Sequence, residues 1–298
     1  MKVTILGNNS ALPAYGRNPT AQIVQIENEI LLIDCGEGTQ MRMAQYGHKA
    51  MRINHIFISH YHGDHFFGLV ALISSMSLLG RTNALFIYCN QFIKEVIEFQ
   101  LQWDLGFEII YDFLNEGEAK LLLDESKFVV RCFPVFHSVP THGFIFSEKK
   151  RKRILLPEQL TKYEIPKYFY SKLTDGFDYE DEYGNIIANE WVTKKGNISK
   201  SYAYTADTVF NKEICQYFME VDLLYHETTY LQNESEKAKS RYHSTAMQAA
   251  EIAVASHAKK LIIGHFSSRY KDLSPFLSEA QTVFEPTELA LEGITFDV

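Results

Sequence analysis

Cysteine is scarce in this chain: four in 298 residues, none in a Cys-x-x-Cys pair. Cys35, Cys89, Cys132 and Cys215 lie in apolar segments and read as core thiols of a reducing compartment, not as a disulfide frame. Long apolar runs are missing too. Nothing approaches the roughly 20 residues that cross a bilayer. Met1-Lys2 leads straight into VTILG, without the apolar stretch of a signal peptide, so the expected place is the cytoplasm. Positive charge is in deficit, 29 Lys and Arg against 37 Asp and Glu, a formal net charge of −8. That average argues against a nucleic-acid partner, but bound cations and a local basic patch can reverse the sign where it matters. What remains is a globular composition, 46% hydrophobic, long enough for one large domain with an ample core.

The richest stretch is Ile56 to Gly68, IFISHYHGDHFFG. The apolar Ile56-Phe57-Ile58 predicts a buried strand, and Ser59 ends it. His60, His62, Asp64 and His65 follow within six positions. Helical periodicity cannot aim all four at one point, whereas a tight loop leaving a strand end can, with Gly63 supplying the freedom to turn. Imidazole and carboxylate are ligand types for zinc and similar divalent ions. His60 and His62 alternate and lean the same way in extended backbone, while Asp64 and His65 lie beyond the turn. Two ions are therefore expected, forming the clamp used on phosphate esters. The pattern H-x-H-x-D-H behind a strand resembles the metallo-β-lactamase superfamily. That resemblance implies an α/β fold, a four-layer αββα sandwich, with further ligands scattered downstream.

Taken in order, the chain predicts a strand at Val3–Gly7, a hairpin of Ala21–Ile26 with Ile30–Ile33, and a short helix over Thr39–Tyr46. After the metal loop come a helix at Phe66–Leu79, a strand at Leu85–Tyr88 and an amphipathic helix at Gln91–Gln102. Strands are expected near Phe107–Phe113, Phe128–Phe136 and Phe144–Phe146. The basic run Lys149-Lys150-Arg151-Lys152-Arg153 then opens some fifty residues of weak periodicity. Compact domains rarely hold so long a loop without a use for it. Residues of about 148–200 are expected to protrude as an arm from a single domain spanning 1–298, with a small helix near Pro157–Lys162 and a hairpin around Glu182–Ile187. Order resumes with a strand at Tyr202–Tyr204, a helix near Asn211–Met219, a strand at Asp222–Tyr225, a helix at Ala246–Ala258, a strand at Leu261–Ile263 and a helix from Ser274 to about Phe284. The halves echo each other: strand to Asp (Asp34, Asp207), helix, strand to His (His60, His226). Two βα halves facing each other across a metal cleft would produce that order.

Three further residues complete the expected metal sphere. His137 follows an apolar strand, Asp207 ends one as a carboxylate able to bridge two ions, and His265 ends another as His60 does. One ion is assigned to His60, His62 and His137, the other to Asp64, His65 and His265, with Asp207 shared. Asp34 and His226 are expected behind the ligands, orienting them.

Together, LLIDCGEGTQ, SHYHGDH, His137, the TADT aspartate, His226-Glu227-Thr228-Thr229, His243-Ser244-Thr245 and GHFSSRY resemble the ribonuclease Z family from Val3 to about Phe284. The two motifs at Glu227 and His243 single out this branch. The resemblance implies an endonuclease that removes the 3′ trailer from precursor tRNA, leaving a 3′-hydroxyl. It implies two divalent ions, zinc first and manganese second, and a homodimer. It also makes His243 the proton donor to the leaving oxygen and Glu227 its partner, with Asp64 taking the proton of the attacking water. Candidate RNA contacts are Arg17 and Asn18 of the loop Pro13-Ala14-Tyr15-Gly16-Arg17-Asn18, the basic run Lys149 to Arg153, and Arg269. Two departures stand out. Tyr15 replaces the family's usual lysine, and the arm lacks the family's Gly-Pro-rich signature. Because a fold does not fix a substrate, a small-molecule phosphodiesterase or other hydrolase is the alternative.

Overall fold

A computed structural model describes residues 1–149, 152–196 and 199–298. Strands β1 (Lys2–Gly7), β2 (Ala21–Ile26), β3 (Glu29–Ile33), β4 (Ile53–Phe57), β5 (Leu85–Cys89) and β6 (Ile109–Phe113) belong to a first sheet. A second sheet holds β7 (Lys120–Asp124), β8 (Phe128–Val135), β9 (Thr141–Glu148), β10 (Ser201–Tyr204), β11 (Leu223–Glu227), β12 (Leu261–Gly264) and β13 (Thr287–Leu289). The last strand, β14 (Thr295–Asp297), returns to the first. The orders are β14-β1-β2-β3-β4-β5-β6 and β13-β12-β11-β10-β9-β8-β7.

Alternation along each strand decides the layering. In the first sheet Ile56 and Ile58 face one way, into a core shared with Leu69, Leu72 and Ile73 of a helix. Phe57 faces the other way and packs on Phe144 and Phe146, with ring centroids 5.5 Å apart in both cases. Leu224 and Ile263 of the second sheet likewise join a core with Ala249, Ile252 and Phe276 from two helices. Hydroxyls cross between the sheets as well: Tyr202 donates to Gln22, and Tyr204 to Asp34 at 2.6 Å. The arrangement is the four-layer αββα sandwich.

The echo seen in the sequence is an echo of topology. Strands β3 to β6 run parallel, as do β10 to β13. Parallel strands deliver their carboxyl ends to one edge, where ligand-binding residues of such sheets collect. Asp34 and Asp207 follow the first parallel strand of each set, while His60, Glu227 and His265 end or follow later ones.

Some elements differ from expectation. The single helix predicted from Phe66 is two, Gly63–Phe66 and Leu69–Leu78. Gly68 lies between them because a Cβ there would stand 2.2 Å from the Gly36 carbonyl oxygen. Residues near 211–219 form a 3₁₀ turn at Lys212–Tyr217 instead of an α-helix. The strand β7 and a helix at Ser235–Ser240 were not legible in the sequence. No helix among the described residues is long and apolar enough to cross a membrane.

Residues 125–128 and 148–199 form a separate compact unit. It has helices at Pro157–Lys162, Tyr170–Thr174 and Asn189–Val192, and a hairpin pairing Tyr179–Glu180 with Ile186–Ile187. Leu160, Ile165, Leu173, Ile187 and Val192 give it a core of its own, so it is more than a solvated excursion. Lys152 pairs with Asp175 at 2.9 Å, and Arg153 Nε donates to Thr193 Oγ1 at 2.6 Å. Those two members of the basic run are therefore tied within the unit instead of standing as an open cationic patch. Lys150 and Arg151 lie outside the described residues, and Lys149 donates its backbone N–H to the Lys127 carbonyl.

Candidate active site

The metal loop leaves β4 under the control of Asp34. Its Oδ1 accepts from Ser59 N at 2.7 Å, and its Oδ2 accepts from Ser59 Oγ, Tyr204 Oη and His65 Nδ1. Asp34 is fully buried and holds the ring of the ligand candidate His65 through the last of these contacts. Asp34, Ala206 and His265 all take left-handed backbone conformations, with φ of 53°, 54° and 60°. At these strand ends a sharp turn sets a polar side chain at or behind the ligand cluster: Asp34 behind His65, Asp207 next to Ala206, and His265 itself.

Proton bookkeeping tests whether the residues fit metal ions. His137 Nδ1 donates to the Tyr242 carbonyl at 2.9 Å, so its Nε2 carries a lone pair. Ser59 Oγ gives its proton to Asp34 and accepts from His60 Nδ1 at 3.0 Å, which leaves His60 Nε2 bare as well. Both nitrogens face His62 Nδ1, at 3.0 and 3.1 Å, and one N–H cannot serve two acceptors in different directions. Burial pushes all three rings down in pKa, so they stay neutral. Whichever tautomer His62 adopts, at least two lone pairs are left facing one another, an arrangement a cation would relieve.

The second set differs, because carboxylates crowd it. His65 Nδ1 is committed to Asp34, and His265 Nδ1 donates to Thr229 Oγ1 at 3.0 Å. Their Nε2 atoms face each other at 3.3 Å. Asp64 Oδ2 lies 3.4 Å from His265 Nε2 and 3.8 Å from His65 Nε2. Asp207 reaches both sets: Oδ1 is 3.2 Å from His265, while Oδ2 is 3.4 Å from His65, 3.9 Å from His60 and 4.0 Å from His137. Its Oδ1 is buried without a hydrogen-bond donor. Burial works against a positive His65, but Asp207, Asp34 and Asp64 outweigh it and raise its pKa well above the ordinary value. That field favours any cation placed there. All seven candidate ligands thus fall in overlapping groups of three, of which that of His60, His65 and Asp207 joins the two expected sets. His243 belongs to two further groups, with His137 and Asp207 and with Glu227 and His265; the cluster fits divalent ions.

Beside this centre, His243 Nδ1 lies 2.8 Å from Glu227 Oε1. Glu227 is fully buried, and four further donors hold it: Ser244 N, Thr208 N, Thr229 N and Thr229 Oγ1. Burial alone would push His243 down. The Glu227 carboxylate prevails and lifts it to about 9, so the ring is protonated at neutral pH. Its ring centroid is 5.1 Å from that of His137 and 5.5 Å from that of His265. The sign of the shift yields a prediction. A proton donor works below its pKa, so activity should fail as pH rises through His243's value. Glu227→Gln removes the main raising charge, and the basic limb of the kcat/KM profile should move to lower pH. An unmoved limb would show that Glu227 does not tune His243.

Comparison with known proteins supplies the lineage. The family model described as anti-Pycsar protein Apyc1 matches residues 1–106. Ribonuclease Z of Phocaeicola vulgatus is 39% identical over 300 residues, covering 100% of this chain and 97% of that protein. Ribonuclease Z of Cytophaga hutchinsonii is 42% identical over 302 residues, covering 99% and 95%. The chain belongs to the ribonuclease Z family. The crystal structure of human tRNase Z, short form, superposes with a TM-score of 0.71 at 27% identity, covering 100% of this chain and 99% of that one. The fold of this ribonuclease Z is that of the metallo-β-lactamases.

Four of the candidate ligands, His62, Asp64, His137 and Asp207, border a cleft of about 860 Å³. Several expected contacts are absent from it. Arg17 is spent on the protein: Nε donates to Asn9 Oδ1 and Nη2 to the Tyr270 carbonyl, at 2.9 and 2.6 Å. Asn18 is clasped by Glu292, which accepts from its backbone N and its Nδ2. Both hold a loop together, and the expectation that they meet substrate is corrected. His226 needs correction too. Strand alternation turns it away from Glu227, toward the face that carries Leu224, and its Nδ1 bonds the Glu227 carbonyl instead of any ligand candidate. Arg269 does line the cleft, bonded to Glu234 at 2.6 Å. Sequence reasoning missed Lys237 and Arg241, which line it as well. The run Lys237, Lys239, Arg241 just before His243 was the available signal.

Proposed function

We propose that the chain is the endoribonuclease that matures the 3′ end of tRNA, cutting the phosphodiester that joins the trailer and leaving a 3′-hydroxyl. One observation carries the reading: a two-group His/Asp centre with a buried His–Glu pair on its flank. His60, His62 and His137 would hold one divalent ion, and Asp64, His65 and His265 the other, with Asp207 between. The imidazole-rich donor set suits zinc first and manganese second. Bound there, such ions would lower the pKa of water toward 7 and neutralise phosphoryl oxygens.

The chain's own residues do the rest. Asp64, anchored by the Ala11 N–H at 2.7 Å, takes the proton of the attacking water. A bond forms between the water oxygen and phosphorus while the bond to the ribose O3′ breaks. His243 gives its proton to that departing oxygen, and Glu227 holds the ring in the orientation that exposes Nε2. One water is consumed: one of its protons passes to Asp64 and the other stays with the trailer's anionic 5′-phosphate, while the retained RNA ends in a hydroxyl. A homodimer and a cytoplasmic place of work are proposed with this reading, on the strength of the family relation.

Incubation with a 3′-extended precursor tRNA should give a product ending in a 3′-hydroxyl just beyond the acceptor stem, with a 5′-phosphate on the trailer. An intact precursor, beside rapid hydrolysis of a small bis-aryl phosphodiester, would move the enzyme to the small-molecule hydrolases.

A further inference from the structure

The cleft has two unlike walls. On one, Tyr230 lies with Lys237 Nζ and the Arg269 guanidinium 5.9 and 5.6 Å from its ring centroid, and its ring is 6.2 Å from that of His243. Arg241 and Tyr242 complete this wall. Among the described residues Arg241 has no carboxylate within ion-pairing distance, and Tyr242 is 48% exposed. Elsewhere on the lining, Phe67 packs over Gly63, and Glu37 follows Gly36, which lies against Pro19 and Asp64. All three cationic side chains lining the cleft stand with His243, and the acid Glu37 stands with Asp64.

Reaction geometry turns this asymmetry into a strand direction. The group that departs is the O3′ of the upstream RNA, so its proton must come from the upstream side. The attacking water comes from the opposite side, in line. Whatever lies against His243 is therefore the RNA that keeps the 3′-hydroxyl. We propose that Lys237 and Arg241 bind the backbone phosphates immediately upstream of the cut, that the last retained base stacks on Tyr242, and that the trailer leaves over Glu37 and Phe67. The proposal rests on the endoribonuclease reading and adds a polarity to it. Lys237 and Arg269 share the single carboxylate of Glu234, at 3.6 and 2.6 Å, so the wall keeps a net positive charge where phosphates would lie. Phosphate contacts position RNA without reading its sequence, and an aromatic face accepts any base. The two elements together suit a substrate class defined by where it ends.

A charge-silencing cycle tests the polarity. Precursor RNAs carry a neutral methylphosphonate either one and two nucleotides upstream of the cut or at the same distances downstream. They are assayed with wild type and with Lys237→Ala/Arg241→Ala, metal content and melting temperature serving as folding controls. The upstream replacement should raise KM for wild type and have little further effect on the variant. The downstream replacement should act equally on both proteins. The variant's salt slope should be shallower by about two, one for each lost phosphate contact. Tyr242→Ala should raise KM about tenfold, with recovery in Tyr242→Phe. If the variant masks the downstream replacement, the polarity is reversed. If it masks neither and the slope is unchanged, the wall does not meet RNA. Failure of wild type to cut any precursor would instead overturn the function itself.

Discussion

His243→Ala should lower turnover on precursor tRNA by about 10²–10⁴-fold while the bound metal stays at the wild-type level. The magnitude follows from the leaving group. A ribose 3′-alkoxide is a poor one, and metal ions neutralise charge but donate no proton. His243 is placed and charged for that donation, with Nδ1 held 2.8 Å from a buried carboxylate. A purely structural histidine would damage every substrate alike. A proton donor should matter least where no proton is needed, so loss on a bis(4-nitrophenyl) phosphate substrate should be far smaller. Equal losses on both substrates would refute the role. Metal loss in step with activity would make His243 a ligand.

The second large effect belongs to Asp207. Burial pushes its pKa up, but His265 and His65 outweigh burial and hold it well below the usual carboxylate range. It is therefore an anion whose Oδ1 is enclosed without a hydrogen-bond donor, between two groups of imidazoles. Without cations, an arrangement of this kind costs folding energy. Asp207→Asn keeps the shape and deletes the charge. Metal per chain should fall, and turnover should drop on the order of 10³-fold or more. A readout apart from activity comes from melting. Ions that bind only the folded protein stabilise it by mass action, so a chelator should lower the wild-type melting temperature substantially. The variant should respond little to chelation, and its metal-free form should melt no lower than metal-free wild type. A variant that keeps both ions would remove Asp207 from the centre.

The legible part of this protein was the part whose chemistry is local in the chain. Strand alternation, the crowded loop after β4 and the isolated strand-end residues Asp207 and His265 all announce themselves within a few positions. The illegible part depended on distant partners. Arg17 and Asn18 looked like substrate contacts because exposed polar loops often are. Their partners, the Tyr270 carbonyl and Glu292, come from the far end of the chain. His226 and Glu227 are neighbours in one motif, yet the pleat sends them to opposite faces, and only the second reaches His243. Helix Ser235–Ser240 buries a single residue, Ala238, so it left no apolar period to find. Its Lys237 acquires meaning only from sharing the Tyr230 ring with Arg269, some thirty residues on.

The left-handed backbone at Asp34, Ala206 and His265 has a consequence for how such a chain can change. Each is a non-glycine residue held where its side chain crowds the main chain, a strain of order 1–3 kcal/mol per position. Glycine at 206 would relax one of these, and the whole protein would tolerate more heat. The neighbouring carboxylate would then swing on a looser pivot. Selection for endurance and selection for turnover therefore pull against each other at these three corners, and lineages living at different temperatures would be expected to settle that contest differently.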